Sequence, residues 1–237
     1  MNNPKPNLIR ILSALDALGE RYIQQFLDSR EGPSLYRNNW YEALLFFLSH
    51  LYMQGRRDEV SSMFWDEMKL CLDKVFSKNP KAVIESLWNE GSIPKNPGLK
   101  DFDKKNSPLW NKFNRKMGKD RDLEMVLDVI RFVHGIPKYN IVTYSIDQIR
   151  LGKIKSHRDD LQKIRQVGPK TSAFYLRDLV FLYEIKLDHK DFISLQPIDT
   201  WVKQVRSLID PSDTKIHDDE WFVEQAGKAY DSLRLNA

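Results

Sequence analysis

Leu161-Gln162-Lys163-Ile164-Arg165-Gln166-Val167-Gly168-Pro169-Lys170-Thr171-Ser172-Ala173 is the stretch on which the reading of this chain turns. Leu161 and Ile164 fall at helical spacing before it closes, and Ala173, Leu176, Val180 and Tyr183 resume the period afterwards. Between them, Gly168 supplies a position without a Cβ, and Pro169 carries a pre-set φ for the first residue of the second helix. The pattern predicts two helices joined by a tight turn, with Lys170 on the first turn of the second. A polar connection, Lys186 to Gln196, then leads to Pro197-Ile198-Asp199 and a third helix over 199–208.

The same period extends through most of the chain. Leu8, Ile11, Leu12, Leu15, Leu18, Tyr22 and Phe26 predict a helix over 7–29, which Gly32-Pro33-Ser34 breaks. From Trp40 to Met53 apolar residues cover nearly every face, as in a helix buried on most sides. Gln54-Gly55-Arg56-Arg57 reads as a polar turn, and Val60, Phe64, Met68, Cys71 and Val75 as the next helix. Further helices are expected over 80–89, with Pro80 first, and over 122–134. Ser145 and Gln148 have capping-box spacing for a short helix that Gly152 stops, Ser156 caps the one after it, and a last helix starts near Asp218. No stretch alternates convincingly in polarity, so the expected fold class is all-α.

The stretch from Gly91 to Lys119 has no such period. It scatters lysines among Pro94, Pro97, Gly98, Pro108 and Gly118, with Phe102, Trp110 and Phe113 between them. Two readings stay open: a solvated surface loop with a few anchoring aromatics, or a basic segment that lies along nucleic acid.

Composition narrows the function classes. With 237 residues, 41% hydrophobic and 30% charged, the chain is long enough for a substantial core and is not of disordered type. The net charge of +4 permits phosphate binding without requiring it. Cys71 is the only cysteine, which excludes an internal disulfide and a four-cysteine zinc or iron–sulfur site, and fits a reducing, intracellular setting. Met1 to Pro6 lacks the apolar run of a signal peptide, and the longest apolar run, Ala43 to Leu48, is far below the ~20 residues of a membrane span. The five histidines are scattered with no metal-ligand spacing, and no phosphate-cradling or dinucleotide glycine motif occurs.

Two residues in this frame can carry chemistry. Lys170 sits at the positive end of a helix dipole, and a neutral lysine amine can form a Schiff base with an aldehydic sugar carbon. Asp199, at the start of its helix, could stabilise positive charge developing on a sugar or assist proton transfer. Each also has an ordinary structural role, as part of a helix connector and as an N-cap. The amides of the turn around Gly168 could hold a phosphate oxygen without reading sequence.

Leu161-x-x-Ile164-x-x-Val167-Gly168-Pro169-Lys170-Thr171-Ser172-Ala173, followed by Pro197-Ile198-Asp199-Thr200-Trp201-Val202, resembles the helix-hairpin-helix DNA glycosylases of the endonuclease III superfamily. A lysine with no cysteine cluster and no β domain points within it to the helical, archaeal-type 8-oxoguanine glycosylases. The resemblance implies one helical domain, with lobes at about 40–135 and the remainder, a cleft between them and a helix-hairpin-helix at 157–185. It implies Lys170 as nucleophile at the sugar C1′, Asp199 as its carboxylate partner, and Gln166, Val167, Gly168 and Thr171 on the DNA backbone. Gln54, Arg56, Phe174 and Trp201 become candidates for the wedge or the base pocket, with Trp221 a further stacking candidate. It implies no cofactor, duplex DNA with a damaged base as partner, and a monomer in the cytoplasm, nucleoid or nucleus. Gln166 stands where many of the family have glycine, and the 29 positions from Lys170 to Asp199 (199 − 170) are more than is usual. The rival reading is a helix-hairpin-helix module that grips nucleic acid without catalysis; a purely structural helical protein is the third.

Overall fold

The computed structural model describes residues 32–53 and 57–195, with single positions at 203, 204, 206, 220, 221 and 224. Among the described residues there are eight α-helices and no strand: α1 (Pro33–Asn38), α2 (Trp40–Tyr52), α3 (Asp58–Val75), α4 (Pro80–Asn89), α5 (Asp120–His134), α6 (Ile141–Arg150), α7 (Ile154–Leu161) and α8 (Pro169–Leu182). The helices expected over 7–29 and 199–208, and the last one from Asp218, lie outside the continuously described residues.

α2 is the central helix. Every residue from Ala43 to Leu48, with His50, Leu51 and Tyr52, is buried, because α1, α3, α5, α6 and α8 all pack on it. This is the physical counterpart of a sequence that is apolar on all faces. Asn39 caps its start, its side-chain oxygen accepting from the Tyr41 amide at 3.0 Å and the Glu42 amide at 3.4 Å. α4 begins at Pro80 and ends at Asn89 as expected, with Asn79 accepting from the Ala82 amide at 3.2 Å. Among the described residues no helix is long and apolar enough to cross a membrane.

Pro33 opens the short helix α1. Two local expectations are corrected. Asn140, not Ser145, caps α6: its oxygen accepts from the Thr143 amide at 2.8 Å, while its Nδ2 donates to the carbonyls of Tyr36 and Arg37 at the end of α1. One side chain thus terminates two helices, and Ser145 is buried in the middle of α6. Ser156 lies inside α7 and donates back to the Lys153 carbonyl, so it is not a cap. Gly152 does stop α6, with φ at +70°.

The 91–119 segment is neither unstructured nor merely anchored by aromatics. It winds through four short 3-10 turns and buries Ile93, Leu109 and Met117 in the common core. Phe102, Trp110 and Phe113 pack against that core from its edge. Ser107 donates to the Ser92 carbonyl at 2.7 Å, and Tyr52 of α2 donates to the Met117 carbonyl at 3.0 Å. Gly118 has φ +139°, and a Cβ there would meet the Asp122 side chain at 2.8 Å, so no other residue fits without displacement. The polar connection after α8 is similarly more ordered than expected, ending in a 3-10 helix, His189–Leu195, that buries Leu195.

α6, α7 and α8 are joined by a buried polar chain. His157 Nε2 lies 2.8 Å from Ser145 Oγ, which lies 3.2 Å from the Tyr175 hydroxyl. His157 Nδ1 has no hydrogen-bond partner among the described residues, and burial pushes the imidazole down to about 4 from its ordinary 6.5. The folded state therefore holds His157 neutral, and its contribution is fully present above pH 6.5 and is lost as the pH falls from there to about 4. We predict that His157→Gln flattens the stability-versus-pH curve over this window by about 3 kcal/mol relative to the parent. Urea titrations at several pH values check this, since the carboxylates common to both proteins cancel; parallel curves would refute it.

Candidate active site

α7 and α8 pack together, and residues 162–168 connect them. The connector is held from α5. The Asp128 carboxylate, fully buried, accepts from the Arg165 amide at 2.8 Å, from the Gly98 amide at 3.1 Å and from Arg131 Nε at 2.5 Å. One turn earlier, Glu124 accepts from Arg165 Nε at 2.5 Å and pairs with Lys104. Two carboxylates on one helix edge thus fasten both this connector and the 98–104 loop.

Within the connector the residue in the left-handed region is Gln166, at φ +63°. The sequence assigned the conformational demand to Gly168, but Gly168 has φ −98° and a Cβ added to it would meet nothing within 4 Å. Its own chain therefore does not require a glycine there. Gln166 stands in the conformation glycine favours.

The outward amides are fewer than expected. The Arg165 amide goes to Asp128, the Val167 amide to the Ile164 carbonyl at 3.0 Å, and the Gly168 amide to Thr171 Oγ1 at 3.1 Å. Thr171 is buried and spends its hydroxyl on this bond, so it stiffens the turn from inside; Val167 is buried too. Gln166 is exposed, and its amide has no acceptor among the described residues.

Lys170, the second residue of α8, is exposed. One turn on lies Phe174, half-buried, with the Arg177 guanidinium 4.6 Å from its ring centre and the His50 ring 5.4 Å away, edge-on. Arg177 thus stands where a base would stack on that face of Phe174. Asp199, Trp201, Gln54 and Arg56 lie outside the described residues, and so does the pairing of Lys170 with Asp199. Trp221 is buried, with the Arg206 guanidinium 5.6 Å from its ring centre, and serves the interior.

The sequence reading missed the polar pair beneath this face. His50, at the end of α2, places Nε2 3.0 Å from the Asp178 carboxylate and Nδ1 2.8 Å from the Phe46 carbonyl. Both ring nitrogens face acceptors, Nδ1 the Phe46 carbonyl and Nε2 the Asp178 carboxylate. The Arg177 guanidinium also pairs with Asp178, at 3.0 Å. This locks the end of α2 to α8. A signal existed: Asp178, like Glu124 and Asp128, is an acid inside an otherwise apolar helical run, and such a residue needs a partner.

No family model, curated protein or solved structure matches this chain.

Two predictions follow from the anchoring. Asp128→Ala leaves two amides and Arg131 without their shared acceptor and should cost about 3–5 kcal/mol in urea unfolding, with Asp128→Asn costing less; a loss below 1 kcal/mol would show that the anchor is dispensable. Gln166→Gly should be neutral to stabilising by up to about 1 kcal/mol, because relief of the left-handed strain outweighs the added freedom of the unfolded chain. A fall in melting temperature would contradict it.

Proposed function

We propose that this protein is a DNA base-excision enzyme, a bifunctional N-glycosylase and AP lyase that removes an oxidised base, 8-oxoguanine by its resemblance. The observation that carries the reading is the exposed Lys170 on the first turn of α8, two residues beyond a glycine whose Cβ position opens onto empty space. A lysine so placed stands at the surface where a sugar carbon can approach, and the open flank leaves room for a phosphate backbone to come close. The rigid support of the connector by Asp128 and Glu124 is what a site needs if it is to hold reacting groups in place.

In this reading the Lys170 amine attacks C1′ of the flipped nucleotide, and the bond from C1′ to the base breaks as the base leaves. Ring opening gives a Schiff base, loss of a C2′ proton expels the 3′ phosphate, and hydrolysis returns the lysine. Asp199 stabilises the developing positive charge on the sugar. The finer architecture belongs to the same proposal: two lobes, a cleft between them and a helix-hairpin-helix at 157–185. So do a monomer acting on intracellular duplex DNA and chemistry without a cofactor.

Borohydride reduction in the presence of an 8-oxoguanine duplex should trap a covalent adduct with wild-type protein and none with Lys170→Gln, checked by denaturing gel and by mass. Asp199→Asn should lower excision by at least about tenfold, in line with the loss of a charge-stabilising group. A duplex that is shifted on a native gel but never trapped, with any oxidised base, would favour the non-catalytic binding module. Absence of both adduct and shift would remove nucleic acid from the account.

A further inference from the structure

Residues 112–121 hold five cations, Lys112, Arg115, Lys116, Lys119 and Arg121, against the single acid Asp120. That surplus equals the +4 of the whole chain, so the other residues balance, with 32 basic and 32 acidic side chains. All five cations are exposed. Arg115 pairs with Asp120 at 3.1 Å, while Lys112, Lys116, Lys119 and Arg121 are in no ion pair among the described residues.

The backbone beneath these cations is fixed. Cys71 of α3 donates weakly to the Lys112 carbonyl, Tyr52 of α2 donates to the Met117 carbonyl, and Asn114 accepts from the Lys116 amide at 2.9 Å. Asp122 accepts from the Lys119 amide at 2.8 Å, and Gly118 holds a conformation only glycine takes easily. The inner side of the segment is thus spent on α2, α3 and α5, and its side chains of like charge are left facing outward. Holding them there costs self-repulsion, which an anionic partner would relieve.

We infer that residues 112–121 form a second contact for the phosphate backbone of nucleic acid, distinct from the connector before α8. Tyr52, which fixes Met117, and His50, which binds Asp178 of α8, both stand on the last turn of α2, so the strip and α8 are tied to one rigid helix end. A membrane surface fits less well, because the strip offers no exposed large apolar side chain: Met117 is buried and Phe113 packs on the core. The inference rests on the nucleic-acid part of the proposed function and adds a second phosphate contact to it.

The test uses the full chain and a variant with Lys112, Lys116, Lys119 and Arg121 all changed to Ala, which keeps the Arg115–Asp120 pair. Binding to a labelled, undamaged duplex is measured over a salt series, with melting curves to confirm that the variant folds. The expected result is a loss of affinity of roughly tenfold or more near physiological salt and a salt slope smaller by about 3. Borohydride trapping at saturating oxoguanine duplex and low salt should survive in the variant. An unchanged slope with wild-type binding intact would overturn the strip and leave the proposed function standing. A reduced slope in a protein that never traps would support the strip and defeat the enzyme reading. No duplex binding by the wild type, or binding to phosphatidylserine vesicles as tight as to duplex and lost in the variant, would overturn the assignment to nucleic acid.

Discussion

The Asp128 carboxylate is the constraint on which the arrangement of the site depends. Taking an ionised carboxylate out of water is expensive unless its lone pairs are filled, and here two backbone amides and a guanidinium fill them. The amides belong to Gly98 and Arg165, in non-helical segments far apart in sequence. Each segment carries a left-handed non-glycine residue close by, Leu99 and Asp101 in one and Gln166 in the other. A backbone turned that way persists when its surroundings over-determine it, and the shared acceptor supplies part of that determination. The shape of the connector before α8 is therefore set from α5, not by the residues of the connector alone.

α5 repeats this role along its length. Asp122 accepts from the Lys119 amide and packs on Gly118, Glu124 takes Arg165 and Lys104, and Asp128 takes Gly98 and Arg165. Its apolar residues, Leu123, Met125 to Leu127, Val129, Ile130 and Val133, enter the core. A helix that buries acids beside its apolar side chains can carry an irregular loop that would otherwise need its own secondary structure. This is how the 91–119 segment, rich in proline, glycine and lysine, is held in place without a regular helix or strand.

Much of this helical frame is legible in the sequence, because burial against neighbours imposes a period on each helix. α2 reads as buried all round and is so, and Pro80 marks the start of α4. What the period cannot convey is which polar group serves which backbone. Ser145 and Gln148 have the spacing of a capping box, yet Asn140, immediately before Ile141, is the cap and reaches the end of α1 as well. Gly168 looks like the residue the turn demands, yet Gln166 bears the left-handed φ. Ile93, Leu109 and Met117 are buried without any shared period, because 3-10 turns and tertiary hydrogen bonds, not a continuous helix, bring them inward. Of the candidate site, the exposure of Lys170 and the start of α8 at Pro169 follow from local rules; its supports, His50, Asp178, Glu124 and Asp128, are long-range contacts that spacing does not encode.

The distribution of charge gives these supports a consequence at the surface. Asp122, Glu124, Asp128 and Asp178 are all buried, and the cations that meet the last three, Arg131, Lys104, Arg165 and Arg177, are committed to them. These pairs hold the frame together and leave little field for an outside partner. Four of the five cations of 112–121 have no such commitment, although the segment's backbone is as firmly fixed as any helix end. A net charge of +4 therefore understates how directional the positive field is, since the balanced remainder includes pairs turned inward while the surplus sits on one strip. Steering depends on that local excess more than on the total, which is why a mildly basic composition is compatible with a surface organised for a polyanion.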